Sequence, residues 1–107
     1  MFARVSTYEL EEGRAVEVVG AFGPALEDIR GLDGFVDGYL LVERDGGHAV
    51  SVTLWESIDA IERSRVAATK ARMEAANQSG ATVTSTYEYE VGIHAVPTAA
   101  GSPAQAL

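Results

Sequence analysis

Trp55 is the only tryptophan in the chain and stands where a strand-like pattern hands over to a helix-like one. An indole in that position can stack on a planar aromatic molecule. Tyr87 and Tyr89 are two residues apart, the spacing that puts both rings on one face of a strand. From there they can stack against a bound phenol or hydrogen-bond to it. Arg65 and Arg72, seven apart in a helical stretch, share one helix face and could steer an anionic ligand into a cleft. Histidine as a residue type suits general-base work near neutral pH, which makes His48 and His94 the candidates for that role. Each residue type also has a plainer use. Trp55 serves equally as a plug in the core, and the tyrosines as packing on a half-buried strand. The arginines suit a solvated helix face, and the histidines suit exposed strand ends.

Other chemistries find no residues here. There is no Ser-His-Asp order, no phosphate loop, no dinucleotide fingerprint and no His-x-x-x-His pair. With no cysteine there is neither a thiolate metal site nor a thiol nucleophile. Gly31-Leu32-Asp33-Gly34 reads as a turn, too short to cradle phosphates. A net charge of −8 repels a phosphate backbone and an anionic membrane surface, so neither nucleic acid nor membrane is expected as a partner. The first ten residues alternate in polarity instead of forming the apolar core of a signal peptide, and no stretch approaches the ~20 apolar residues of a membrane span. The expectation is a cytoplasmic protein with no metal and no cofactor.

The elements that must position these residues follow from periodicity. The chain has 107 residues, 47% of them hydrophobic, enough for one self-supporting domain. From Phe2 to Leu10 polarity alternates, with Ala3 and Val5 against Arg4 and Ser6, which predicts a first strand. Val18, Phe22, Leu26 and Ile29 then recur at helical steps between Arg14 and Arg30, with Pro24 expected to kink or break that helix. Phe35 to Arg44 and His48 to Trp55 read as two strands joined by a hairpin at Asp45-Gly46-Gly47. Ser57 is a plausible N-cap for a second, alanine-rich helix over Ile58 to Asn77. Thr82 to Ile93 forms the last strand, with Val83, Ser85, Tyr87, Tyr89 and Val91 expected on one face. Residues 1–94 make the domain, and 95–107 form a Pro/Gly/Ala-rich tail.

The order β-α-β-β-α-β describes an α+β, ferredoxin-like antiparallel sheet with both helices on one face. Val50, Val52 and Leu54 cannot share a side with Trp55, so both sheet faces carry large apolar groups. Two helices cover one face only. The other would be an exposed apolar patch unless an identical sheet covers it, which predicts a homodimer.

The segment Gly34-Phe35-Val36-Asp37-Gly38-Tyr39, and above all the run from Val50 to Ala60 through Leu54-Trp55-Glu56-Ser57, resembles the antibiotic biosynthesis monooxygenase (ABM-like) superfamily over residues 2–93. This junction is characteristic of the group of dimeric α+β barrels and much less so of any one activity in it. The resemblance implies a dimer with sheets packed face to face and a pocket in each subunit between helices and sheet. Cofactor-independent oxygenases of the group carry an Asn four residues before this Trp. Here that position is Ser51, whose shorter hydroxyl donates one hydrogen bond. The haem-degrading members need a first-strand Asn, a second-helix Trp and a second-helix His on the iron. This chain has no Asn before Asn77 and no His between His48 and His94, so nothing on the second helix can ligate iron. The resemblance therefore implies a cofactor-independent monooxygenase acting on a small planar aromatic or quinone-type metabolite. Ser51 and Trp55 are its candidate catalytic residues, and Tyr87, Tyr89 and Arg65 its candidate substrate contacts. The alternative is a non-catalytic homodimer that binds a small ligand or serves as a scaffold.

Overall fold

The structure is a computed structural model that describes residues 1–44 and 46–98. Alternating polarity gives four strands, β1 (Phe2–Glu9), β2 (Phe35–Val42), β3 (His48–Trp55) and β4 (Thr82–Glu90); helical spacing gives α1 (Ala15–Arg30) and α2 (Ile58–Ser79). The strands form one antiparallel sheet in the order β2-β3-β1-β4, the ferredoxin-like arrangement. Among the described residues no helix is long and apolar enough to cross a membrane. Asp45 of the expected hairpin turn, and residues 99–107 of the expected tail, lie outside the described residues; 95–98 carry no regular structure.

Buried Val18, Phe22, Ala25 and Ile29 make the inner stripe of α1, while Leu26 is only half-buried. Pro24 does not break α1, which runs unbroken through it. The carbonyl that Pro24 leaves without a donor belongs to Gly20, and both residues lie on the exposed face, where water can take the donor's place. α2 starts as expected, with the Ser57 side chain accepting from the Ala60 N–H at 3.1 Å. It stops at Gly80, whose φ of 75° is the left-handed conformation that glycine adopts without strain. No basic residue closes its last turn, but the Arg14 guanidinium, from the start of α1, stands about 4 Å from where a Cβ on Gly80 would be, and a cation suits that helix end.

Which face of the sheet the helices cover follows from the register. Phe2, Arg4, Ser6 and Tyr8 of β1 stand opposite Trp55, Thr53, Ser51 and Ala49 of β3, and this set lies under the helices. The other face carries Ala3, Val5, Val50, Val52 and Leu54, with Tyr39 and Leu41 from β2 and Tyr87 and Tyr89 from β4. On that face Tyr39, Leu41, Tyr87 and Tyr89 are each half or more exposed.

One expectation about β4 is corrected. Its alternation does not run through from Val83 to Tyr89, because the register with β1 shifts between Thr7 and Tyr8. Thr7 Oγ1 lies 2.7 Å from Thr84 Oγ1 and 2.5 Å from Ser85 Oγ, two residues answering one, as in a bulge. Val83 therefore packs against the core under the helices, while Ser85, Tyr87 and Tyr89 face the open side.

Candidate functional site

The interior between helices and sheet is polar at its centre. Arg4, Ser6, Ser51, Thr53, Ser64 and Arg72 are all buried there, together with Tyr8 and Trp55. The helix side allows this because α2 presents mostly small residues (Ala60, Ser64, Ala68, Ala71, Ala75) to the rest of the fold. Long side chains from β1 fill the room they leave. Tyr8 meets Phe22 edge-on at 5.0 Å between ring centroids.

Ser51 and Trp55 are brought together on this inner face, as the alternation of β3 required. Ser51 Oγ is hydrogen-bonded to the Tyr8 hydroxyl at 2.7 Å. Trp55 has no exposed surface. Its indole N–H donates to Thr53 Oγ1 at 3.0 Å, Phe35 packs edge-on at 5.5 Å, and the Arg4 guanidinium sits 5.7 Å from the ring centroid.

Arg4 is the hub. Its Nη1 donates to Ser64 Oγ at 3.1 Å and its Nη2 to the Ile61 carbonyl at 2.8 Å, tying β1 to α2. Its Nε and Nη2 donate to Glu88 Oε2 at 3.2 and 2.9 Å. The same carboxylate takes Arg65 from outside, with Nη2 on Oε1 at 2.5 Å. Arg65 therefore lies on the rim, 55% exposed and engaged with Glu88, not in the interior where a substrate contact was expected. The two guanidiniums, Arg65 first, hold the Glu88 carboxyl below the usual carboxylate range against the opposing effect of burial. Arg72, one helical heptad beyond Arg65, is the interior arginine of the pair. Burial, then the like charge of Arg4, lowers its pKa. Burial raises the pKa of the Tyr8 phenol, opposed by the Ser51 hydrogen bond and the charge of Arg72, so Tyr8 is a neutral donor at pH 7.

The remaining expected residues are not part of this cluster. Tyr87 and Tyr89, 6.5 Å apart between centroids, lie on the opposite face of the sheet and within one chain share no cavity with Ser51 and Trp55. His48 is exposed beside Glu43 at 3.6 Å, and His94 is exposed beyond β4. Among the described residues no three His, Asp or Glu side chains converge as metal ligands do. Two open grooves lie away from the cluster. One of about 350 Å³ runs between the end of α1 and β2, lined by Leu26, Arg30, Phe35 and Asp37. The other, of about 420 Å³, lies by Glu12, Val16 and Arg44. Arg4, Tyr8 and Glu88 were missed by the sequence reading. Alternation did mark Arg4 and Tyr8 as sharing a face, but nothing in it said that the helices cover that face.

No family model matches the chain. It is 35% identical over 68 residues, 64% of its length, to the uncharacterized proteins Rv2557 and MT2634 of Mycobacterium tuberculosis. It spans only 30% of the length of these relatives. Solved structures match nearly the whole chain. SnoaB, a cofactor-independent oxygenase from Streptomyces nogalater, aligns over 90% of this chain and 96% of its own with a TM-score of 0.70 and 18% identity. The ActVA-Orf6 monooxygenase of Streptomyces coelicolor, solved with nanaomycin D, aligns over 91% and 92% with a TM-score of 0.64 and 21% identity. MhuD, a haem degrader from Mycobacterium tuberculosis, aligns over 90% and 100% with a TM-score of 0.71 and 23% identity. The chain thus has the fold of the antibiotic biosynthesis monooxygenase-like superfamily, the group that its strand-to-helix junction at Trp55 resembles.

Proposed function

We propose that this chain is a cofactor-independent monooxygenase acting in the cytoplasm on a small planar aromatic or quinone-type metabolite bound between α2 and the sheet. The observation that carries this reading is the charge of the interior. Inside, Arg4 and Arg72 face the single carboxylate of Glu88, which Arg65 binds from the rim, leaving the interior itself one charge positive in a chain of net −8. A positive, largely dehydrated site stabilises an organic anion and lowers the cost of deprotonating a phenol or enol. Such an anion is electron-rich enough to reduce O₂ itself. A ring CH₂ becomes C=O as one oxygen atom bonds to carbon and the other leaves as water, both electron pairs coming from the substrate. The protein then supplies orientation, dehydration and hydrogen bonds. Ser51 and Tyr8 are the hydroxyl donors, and Trp55 is the aromatic floor.

The open face, with Val5, Val50, Val52, Leu54 and four half-exposed large side chains, is assigned to a second copy of the chain. In that assembly Tyr87 and Tyr89 belong to the interface and not to the substrate site.

A second reading, a non-catalytic homodimer that binds a ligand or acts as a scaffold, is favoured by one observation. Ser51 Oγ is already bonded to Tyr8, and Trp55 is wholly enclosed, so a ligand has to displace side chains to reach them. Oxygen uptake with a panel of hydroquinones and anthrones separates the two. The monooxygenase reading expects uptake by the native chain that falls in Trp55→Ala and Ser51→Ala; uptake equal to a protein-free blank overturns it.

A further inference from the structure

We infer that the groove between the end of α1 and β2 is the vestibule of the interior, that Phe35 is its gate, and that it admits a small planar molecule in its neutral, protonated form. The inference rests on the reading of the interior as a substrate site and adds to it the route of entry and the charge state that the route selects.

Trp55 has no exposed surface, so a molecule that stacks on it must first move a side chain. Phe35 is the side chain placed for this. It packs edge-on against the indole, with 5.5 Å between centroids and 87° between ring planes. It also lines the groove of about 350 Å³, together with Leu26, Glu27, Arg30, Asp37 and Gly38. That volume lies in the range of small-molecule sites, ~300–1,000 Å³. None of the buried polar residues lines the groove, and a single half-buried phenyl ring stands between it and Trp55. Gly38 leaves that ring its seat, since a Cβ there would lie 3.0 Å from Phe35 Cζ. The groove beside it is space into which the ring can turn. The other recess near the interior, of about 180 Å³, is lined by Leu32, Asp33, Arg63 and Ser64. Entry there would break the buried hydrogen bonds that Ser64 makes with Arg4 and the Ile61 carbonyl, whereas turning Phe35 breaks none.

The charges of the groove decide what enters. Arg30 is paired with Glu27 at 3.2 Å. Asp37 has no cation; its carboxylate accepts from the Gly38 N–H and the Tyr39 hydroxyl, each at 3.0 Å. The groove thus carries one uncompensated negative charge in a chain of net −8, which repels an organic anion and leaves a neutral phenol unaffected. Past Phe35 the sign reverses, because Arg4 and Arg72 outnumber Glu88. The vestibule favours the neutral form and the interior the anion, so ionisation belongs to the inner side of the gate.

The test reads access to the single tryptophan with two matched quenchers, neutral 4-hydroxy-TEMPO and anionic 4-carboxy-TEMPO, at low ionic strength. In the native chain the neutral quencher should be the more effective. Phe35→Ala should raise its quenching constant several-fold, and Asp37→Asn should narrow the gap between the two quenchers. The chain has no cysteine, so Arg30→Cys gives a unique thiol in the groove. Labelling it with N-cyclohexylmaleimide in the Phe35→Ala background should return quenching to the native level. No rise in Phe35→Ala, equal quenching by both nitroxides, or a block produced by labelled Arg63→Cys instead of labelled Arg30→Cys overturns the inference. If Phe35→Ala does not fold, Phe35→Leu takes its place, and no rise there overturns it as well. Oxygen uptake measured in parallel keeps the two proposals apart. Gated, neutral-selective access without uptake supports the vestibule and refutes the monooxygenase; uptake that is indifferent to Phe35 and to the groove label does the reverse.

Discussion

Glu88→Gln tests the centre of the site most directly, because it removes one charge and leaves the shape almost unchanged. Arg4 is 2% exposed and gives Glu88 two charge-assisted hydrogen bonds, at 3.2 and 2.9 Å. A glutamine oxygen can keep one of them as an ordinary bond, so the variant loses the charge and part of the geometry. Hydrogen bonds to charged groups are worth about 1.5–3 kcal/mol, and a buried cation left without its partner costs at least as much. The expected loss is therefore about 2 kcal/mol. With a urea dependence of about 1–3 kcal/mol per molar for a domain of this size, the unfolding midpoint should fall by roughly 1 M at fixed protein concentration. Arg65→Ala removes the outer partner of the same carboxylate, but Arg65 is 55% exposed. Exposed pairs contribute about 0.2–1 kcal/mol and are screened by salt, so this variant should shift the midpoint much less. In about 1 M sodium chloride, where the screening length is near 3 Å, its effect should vanish while that of Glu88→Gln persists.

The pH profile supplies the sign. The folded chain holds the Glu88 carboxyl below its ordinary value. Its contribution is thus present above the ordinary carboxylate range and is lost as pH falls through the depressed pKa. Native stability should drop more steeply on that acid limb than the stability of Glu88→Gln. If Glu88→Gln costs no more than Arg65→Ala, or if the two acid limbs coincide, Glu88 is not the counter-ion of the buried Arg4.

Tyr8→Phe and Ser51→Ala should each cost about 1–2 kcal/mol, since each strands a buried hydroxyl or deletes its bond, and the double variant should cost less than the sum by about 1 kcal/mol in urea unfolding. Because burial raises the Tyr8 pKa, its contribution is complete below the ordinary phenol value of 10.0 and fades as pH rises towards the folded one; Tyr8→Phe should remove that part of the alkaline decline in a Tm series. Val52→Asp should convert a dimer to a monomer in light scattering at micromolar concentration, and a native chain already monomeric there refutes the two-copy assembly. Gly34→Ala should lower stability by about 1–3 kcal/mol, because φ is 80° there and the added Cβ meets Ala60 Cβ.

How much of this was legible in the sequence differs from element to element. The strands and α2 could be read because period two and the Ser57 cap are local signals, and the resemblance at Leu54-Trp55-Glu56-Ser57 led to the fold. Pro24 misled because the cost of proline depends on whether the freed carbonyl can reach water, and Gly20, like Pro24, lies on the exposed face of α1. The β4 bulge was invisible, since uniform alternation from Thr82 to Val91 cannot show that Thr7 answers two residues. For the arginines, spacing put Arg65 and Arg72 on one helix face, which is right. Spacing says nothing of depth, and depth is what makes one a rim residue and the other an interior one.

The two faces of the sheet depart from the distribution that stability alone would choose. The face under the helices, shielded from water, holds Arg4, Ser6, Ser51 and Thr53 beside Tyr8 and Trp55; the face left open holds Val5, Val50, Val52, Leu54 and four large half-exposed side chains. A fold optimised as a solitary unit would exchange them, because burying guanidiniums costs several kcal/mol each while exposing Leu and Val forfeits about 25 cal/mol per Å². Both costs are recovered if each face has its own partner. An apolar face is stabilised by a matching apolar face, which a second copy provides by symmetry. A polar, positive interior is stabilised by an anion small and flat enough to slide under α2. The organic anion of the proposed reaction and the second chain across the open face are thus one reading of one sheet, reached from its opposite sides.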